Sequence, residues 1–482
     1  MTPDRTLTLD RYVRLTASDM VAGLREGRLR AVELVDAAAA MIEALEPALN
    51  AHVLLDFEAA RQHAAACDAE TKAGRSRGAL HGLPVSIKDT YDVPGYGSTR
   101  GSKLYADQVA TESSPLSQRV LEAGAIMLGK TTMPEFGWKA SSTSPLTGVT
   151  RNPWDVTKTT GGSSSGSAAA VASRMVPAAL GGDGGGSIRI PASFCGVFGQ
   201  KPSFGRVAVW PGSVHDQLVH HGFLTRNARD TALMLDVGKG PDPRDPWSLP
   251  ATPGSLFDGI GAALGGLRIG FVTRPWGVHV DEDVLSVVTA VQRALQAPAW
   301  RVSEINVPGA LPKACFEVLW SCSRAFTSGP GLARDAPLLD PALVRSVEKG
   351  LRYGLDDYLR ASLERRRFAG QLQAVFEQVD VLALPTVPVK PFAAEADIPD
   401  GWSDEGVLPW IDWSPCTYPF NLSGNPAASV PAGFTPEGLP VGLQIIGPRF
   451  RDDLVLQAAH AIETELGVVD RRPELTRRAC GA

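Results

Sequence analysis

From Gly161 to Pro191 the chain reads Gly-Gly-Ser-Ser-Ser-Gly-Ser, then an alanine-rich apolar run, then Gly-Gly-Asp-Gly-Gly-Gly-Ser-Ile-Arg-Ile-Pro. The run between the two glycine-serine turns, Ala168 to Leu180, has Arg174 as its only charge, and its first part reads as a buried helix that stops before Pro177. A linker of Gly and Ser stays solvated and featureless. Here each glycine cluster is punctuated by serine and passes straight into helix-forming or β-branched residues. Both turns therefore belong to an ordered fold.

Glycine accepts positive φ and lets bare backbone N–H groups approach a ligand. Gly184, Gly185 and Gly186, leading into Ser187, can point successive N–H groups at one spot, where an oxyanion would form beside the Ser187 hydroxyl. A serine hydroxyl is a poor nucleophile until a base removes its proton. The chain has eight histidines, and none lies in the two turns or in a G-x-S-x-G elbow. His81, His215, His220 and His221 stand as candidate bases. So does Lys88, which ends a short strand-like apolar run within Gly82–Thr90. The ordinary role for such a lysine is a solvated charge or an ion pair with Asp89 or Asp92.

The blocks Gly82–Asp89, Gly161–Ala170 and Asp183–Gly196 occur in this order and resemble the three hallmark blocks of the amidase signature family. The resemblance implies Ser187 as nucleophile, Ser163 as a bridging serine preceded by a cis peptide bond, and Lys88 as base, with no histidine needed. The N–H groups of Gly184, Gly185, Gly186 and Ser187 are the expected oxyanion hole. The 24-residue spacing from Ser163 to Ser187 and the pair Cys195-Gly196 are also similar to the family's. Ser165 departs from it, since many members have glycine there. The fold implied is α/β, a single α/β/α sandwich around a large mixed β-sheet covering residues 1–482. Within it the catalytic core spans about 75–235, and a more variable helical insertion spans about 241–376. The activity implied is hydrolysis of C–N bonds in linear amides, extending to carbamates (urethanes) and esters, on a small-molecule substrate with no cofactor. Bacterial aryl-acylamidases and urethanases are the expected relatives. The alternative is the amidase subunit of a tRNA-dependent amidotransferase, which works with partner subunits.

Composition excludes other classes. At about 150 residues per domain the 482-residue length suggests about three domains, yet large α/β enzymes fill this size with one. Hydrophobic residues at 44%, charged residues at 21% and a net charge of −5 describe an ordinary globular protein without a polyanionic partner. The segment Met1–Tyr12 lacks an apolar signal core, and no uncharged apolar run approaches the roughly 18 residues of a membrane span. A cytoplasmic protein, monomer or homodimer, without nucleic-acid or membrane partners is expected. The six cysteines are scattered, form no zinc spacing, and read as free thiols in a reducing compartment.

Along the chain, helices are expected from Thr16, capped by Ser18 or Asp19, and from about Ala31, closed by Pro47. A strand at Val53–Leu55 and a helix at Phe57–Lys72 follow. Gly124-Ala-Ile-Met-Leu-Gly-Lys-Thr131 matches the phosphate-loop pattern letter for letter, but helix precedes it and strand runs through it, the reverse of what such a loop requires. Ile188–Pro191 reads as strand-like, with Arg189 a structural ion-pair partner. Phe204–Phe223 reads equally as a pocket wall or a surface connection. Gly238–Pro253 is a surface linker, Leu267–Val272 a strand, the stretch around Val284–Leu295 a helix, and Pro341–Phe376 amphipathic helices. Val381–Pro385 reads as a buried strand and Trp402–Trp413 as an aromatic loop at the substrate entrance. Asn421–Pro431 and Gly438–Gly447 read as strands, and Asp453–Leu466 as a closing helix.

Overall fold

Eleven strands lie side by side in one mixed sheet in the computed structural model, which describes residues 7–296, 300–403, 405–406 and 408–481. In chain order they are β1 (His52–Leu55), β2 (Pro84–Lys88), β3 (Ile126–Thr131), β4 (Ala178–Asp183), β5 (Phe198–Lys201) and β6 (His220–Thr225). Then come β7 (Leu267–Phe271), β8 (Trp300–Glu304), β9 (Val381–Pro385), β10 (Ala427–Phe434) and β11 (Pro440–Ile446). Across the sheet they run β1-β3-β2-β4-β6-β5-β10-β11-β9-β7-β8. The pairs β2–β3, β2–β4, β7–β9 and β7–β8 are parallel and the rest antiparallel.

Why the central strands are apolar throughout follows from burial on both faces. Successive side chains of a strand point to opposite faces, and Val381 and Ala383 join one apolar cluster while Leu382 and Leu384 join the other. The first cluster packs the sheet against helices Ala31–Leu49, Ala228–Gly238 and Asp452–Leu466. The second packs it against helices Lys313–Ser328 and Leu355–Val375. This is the expected α/β sandwich around a large mixed sheet. No helix among the described residues is long and apolar enough to cross a membrane.

Register positions the site. β2 and β4 are parallel neighbours, with Val85 opposite Ala178 and Ser86 opposite Ala179, so Lys88 and Asp183 emerge at the same edge. In open α/β sheets that carboxyl edge is where ligands bind. Helix Ser165–Ala172 packs on both strands and carries the first serine turn to the same place.

Several local expectations change. Ile188–Pro191 is not a strand: Arg189–Cys195 is a helix ended by Gly196 at φ 63. Pro191 sits in its first turn, where a backbone N–H would have no helical partner anyway. Helix Ala31–Leu49 runs through Pro47 and ends at Asn50 in the left-handed region, and Thr16 rather than Ser18 or Asp19 caps the helix before it. Pro419–Ser423 is helical, with the strand beginning only at Ala427. A short helix, Glu474–Ala479, follows the one at Asp452–Leu466. Residues 241–376 are not only helical, because β7 and β8 lie there. The phosphate-loop lookalike is β3, and its Lys130 is wholly buried, donating to the Gly97 carbonyl at 3.0 Å beside Asp89. Met1–Thr6 of the N-terminal reading, and Asp404 and Val407 of the aromatic loop, lie outside the described residues.

Candidate active site

Lys88 is 2% exposed, and its Nζ lies 2.8 Å from Ser163 Oγ and 3.0 Å from Ser164 Oγ. No carboxylate among the described residues pairs with it directly. Desolvation lowers its pKa to about 7, against the weaker pull of the Asp183 charge. The solvated or ion-paired role is thereby set aside, since Asp89 instead faces Thr99 and Lys130. Ser163 follows a cis peptide bond from Gly162. Gly137 packs so closely on it that a Cβ there would sit 3.0 Å from Ser163 Oγ.

The second turn is built around Asp183. Its carboxylate accepts from the Gly186 N–H at 2.8 Å and the Ile188 N–H at 3.2 Å, and from Arg189 Nε and Nη2, each at 2.9 Å. Arg189 is the structural ion-pair partner expected of it, and it also donates to the Thr417 carbonyl, Gln444 Oε1 and Asn421 Oδ1. These bonds hold the Asp183 carboxyl far below the usual carboxylate range despite complete burial. The turn is further tied by Thr417 Oγ1, which donates to the Gly185 carbonyl at 2.7 Å, and by the Ser164 N–H, which donates to the Ser187 carbonyl at 3.0 Å.

Each glycine here is required for its own reason. A Cβ on Gly184 would meet Trp320 at 2.9 Å, one on Gly185 would meet Trp410 at 2.7 Å, and Gly186 stands at φ 134 against Thr417. One expectation is corrected: the Gly186 N–H is turned to Asp183 and is spent on that carboxylate. The N–H groups of Gly184, Gly185 and Ser187 take no partner among the described residues.

Lys88, Ser163, Asp183, Gly184 and Ser187 line one cavity of about 300 Å³. Residues 209–215 wall it, so the stretch Phe204–Phe223 is in part a pocket wall. None of the aromatic loop's described residues lines the cavity: Trp410 is buried behind the glycine turn, and Trp413 is buried against Phe194 and Phe392. His215 and His221 do line it, but burial drives the His215 pKa well down and that of His221 to about 4. His215 stacks on Trp320, His220 turns Nδ1 to the Leu218 carbonyl, and His81 is remote, engaged with Cys67 O and Thr71. None of the four bonds a serine of either turn. Cys67, Glu70 and His81 do approach one another within 4.8 Å. Glu70, however, is committed to Arg77, and both ring nitrogens of His81 are engaged.

Sequence reasoning missed Ser164 as the second neighbour of Lys88, and missed Thr417, Asn421 and Gln444. Arg189, read from the sequence as a structural ion-pair partner, was the one member of the network it signalled.

Known proteins resemble the chain over most of its length. Residues 33–456 match the family model described as Amidase. The chain is 34% identical over 472 residues to an acylamidase of Rhodococcus erythropolis, covering 95% of this chain and 97% of that protein. It is 33% identical over 500 residues to a glutamyl-tRNA(Gln) amidotransferase subunit of Natranaerobius thermophilus, covering 95% and 97%. Among solved structures, a bacterial aryl acylamidase of the amidase signature family superposes with a TM-score of 0.88 at 28% identity, over 97% of this chain and 99% of that one. With the family model and these relatives each spanning most of its length, the chain belongs to the amidase signature family.

Proposed function

We propose that the chain hydrolyses small amides through an acyl-enzyme on Ser187, with Ser163 passing the proton to Lys88. The observation that carries this reading is the contact between a buried lysine whose pKa lies near 7 and Ser163 at 2.8 Å. An ordinary lysine is well under ~1% neutral at pH 7, whereas a pKa lowered to about 7 makes the neutral amine readily available there. A neutral amine can donate to Ser164 while its lone pair takes the Ser163 proton as Ser163 takes that of Ser187. Ser187 Oγ bonds to the carbonyl carbon and the C=O pair moves onto oxygen, towards the N–H groups of Gly184, Gly185 and Ser187. Collapse breaks the C–N bond, and the proton returns through Ser163 to the departing nitrogen. Water then repeats the sequence on the acyl ester. Carbamates and esters present the same planar carbonyl and fall within this reading.

Aromatic residues around the cavity, Tyr105, Phe136, Trp210 and Trp320, support an aryl group on the substrate, as does the likeness to an aryl acylamidase. The similarity to part of a glutamyl-tRNA(Gln) amidotransferase supports a second reading, an ammonia-supplying subunit.

The roles of the serines are tested by a fluorophosphonate. The adduct is expected on the peptide containing Ser187, with Ser187→Ala abolishing it and Ser163→Ala slowing it. An adduct within Ser163–Ser167 would invert the assignment.

A further inference from the structure

Helix Lys313–Ser328 turns Trp320, Arg324, Thr327 and Ser328 towards the cavity. Arg324 is 7% exposed and lies over the Trp320 ring with its carbon 5.2 Å from the centroid. Its Nη2 donates to the Phe136 carbonyl at 2.9 Å, while its Nε is buried with no partner among the described residues. No described carboxylate lies within ion-pair distance of it. Burial lowers its pKa to about 10, so at neutral pH it remains a charged guanidinium. Such a charge is costly to bury unpaired.

Glu135, beside Phe136 in the chain, attracts this charge from beyond ion-pair distance, but its oxygens are already taken by the Ser102 hydroxyl and the Asp340 N–H. On the other side of Phe136, whose N–H donates to the Arg100 carbonyl, Arg100 also lines the cavity, its Nη2 paired loosely with Asp92 at 3.7 Å and its buried Nε without a partner among the described residues. Asp183, the single carboxylate among the cavity's described lining residues, is already held by Arg189. The wall is therefore electropositive and has donors left over, in a fork whose geometry suits a carboxylate.

We propose that Arg324 is a substrate-binding residue that receives a carboxylate carried by the amide, so that this chain acts on anionic amides in preference to neutral ones. The inference rests on reading this cavity as the amidase site. The rival account is an arginine that only braces the Phe136 loop.

Binding to the Ser187→Ala chain separates them, by calorimetry with two matched pairs: 4-acetamidobenzoate against its methyl ester, and N-phenylsuccinamate against its methyl ester. The first pair places the carboxylate on the amine side and the second on the acyl side. At least one acid should bind roughly ten- to a hundredfold tighter than its ester, the range of a charge-assisted hydrogen bond. Arg324→Gln in that background should bring the acid-to-ester ratio near one, and Arg324→Lys should keep part of it. Equal binding of acid and ester in both pairs overturns the proposal without reference to any Arg324 variant. So does a preference that survives Arg324→Gln. Because no turnover is read, a mistaken nucleophile would show separately, as residual hydrolysis by Ser187→Ala.

Discussion

Lys88 has two serine hydroxyls, and no carboxylate among the described residues, as its direct neighbours. Desolvation is then the larger influence on its proton, and it favours the neutral form. On the proposed mechanism the neutral amine is the active form, so kcat/KM should rise with pH through about 7 and level off above it. His221, beside it on the cavity wall, titrates near 4 and Asp183 lower still, so neither supplies that limb. Lys88→Ala should lose about 10²–10⁴-fold in kcat, the usual worth of a positioned base. Lys88→Arg should lose as much, because a guanidinium does not deprotonate. A pH–rate profile of the wild type with both variants checks this, and near wild-type kcat in either returns Lys88 to a structural role. A serine after three glycines pointed to Ser187 from its immediate neighbours, whereas Lys88 and Ser163 were singled out by the blocks that resemble the family's, since a lysine closing an apolar strand reads equally as an ion-paired charge. Thr417, Asn421, Gln444 and Arg324 were not legible, for their neighbours in sequence say nothing about Arg189 or Phe136, more than a hundred residues away.

At the level of elements, the glycine turn between β4 and helix Arg189–Cys195 is held from behind by rings. Gly185→Ala would put a methyl 2.7 Å from Trp410 and 2.9 Å from Phe316, both buried. Neither indole nor phenyl has room to retreat, so the turn must shift, at a cost of about 1–3 kcal/mol in stability. The N–H groups that the turn presents to the cavity move with it. A kcat loss of about 10²–10³-fold is expected, the effect of removing one oxyanion donor, with a lowered melting temperature by circular dichroism. Unchanged kcat would show that these donors do not meet the oxyanion. Elements were read well where burial is two-sided, as in β2 and β9, because a continuous apolar run leaves few alternatives, whereas Ala178–Asp183 was not read as the strand β4. Misreadings fell on short segments. Ile188–Pro191 has the alternating β-branched look of a strand, but the Ile190 N–H bonds the Gly186 carbonyl at 2.7 Å, and Asp183 at its start settles the turn as helical.

Across the whole molecule, a free-standing hydrolase and one component of an amidotransferase make opposite demands. The cavity is walled by residues of this one chain, from Lys88 to Ser328. On the first reading the purified chain alone should turn over an anilide and an aryl carbamate and leave glutamine intact. Glutaminase activity without anilide turnover, appearing only on mixing with partner subunits, would favour the second reading. Steady-state assays of the three substrates decide it.

The sheet order has a bearing on how such a chain is made. Synthesis runs from one end, and a ribosome that has passed Lys201 has already made Lys88, Ser163, Asp183, Ser187 and Arg189. The strand that lies beside β5, and Thr417, Asn421 and Gln444 that complete the ring of acceptors around Arg189, are still untranslated. The reactive groups thus exist for most of translation without the frame that aims them. A message cut short between codons 201 and 444 yields a product that holds Lys88, Ser163 and Ser187 and lacks part of the mount.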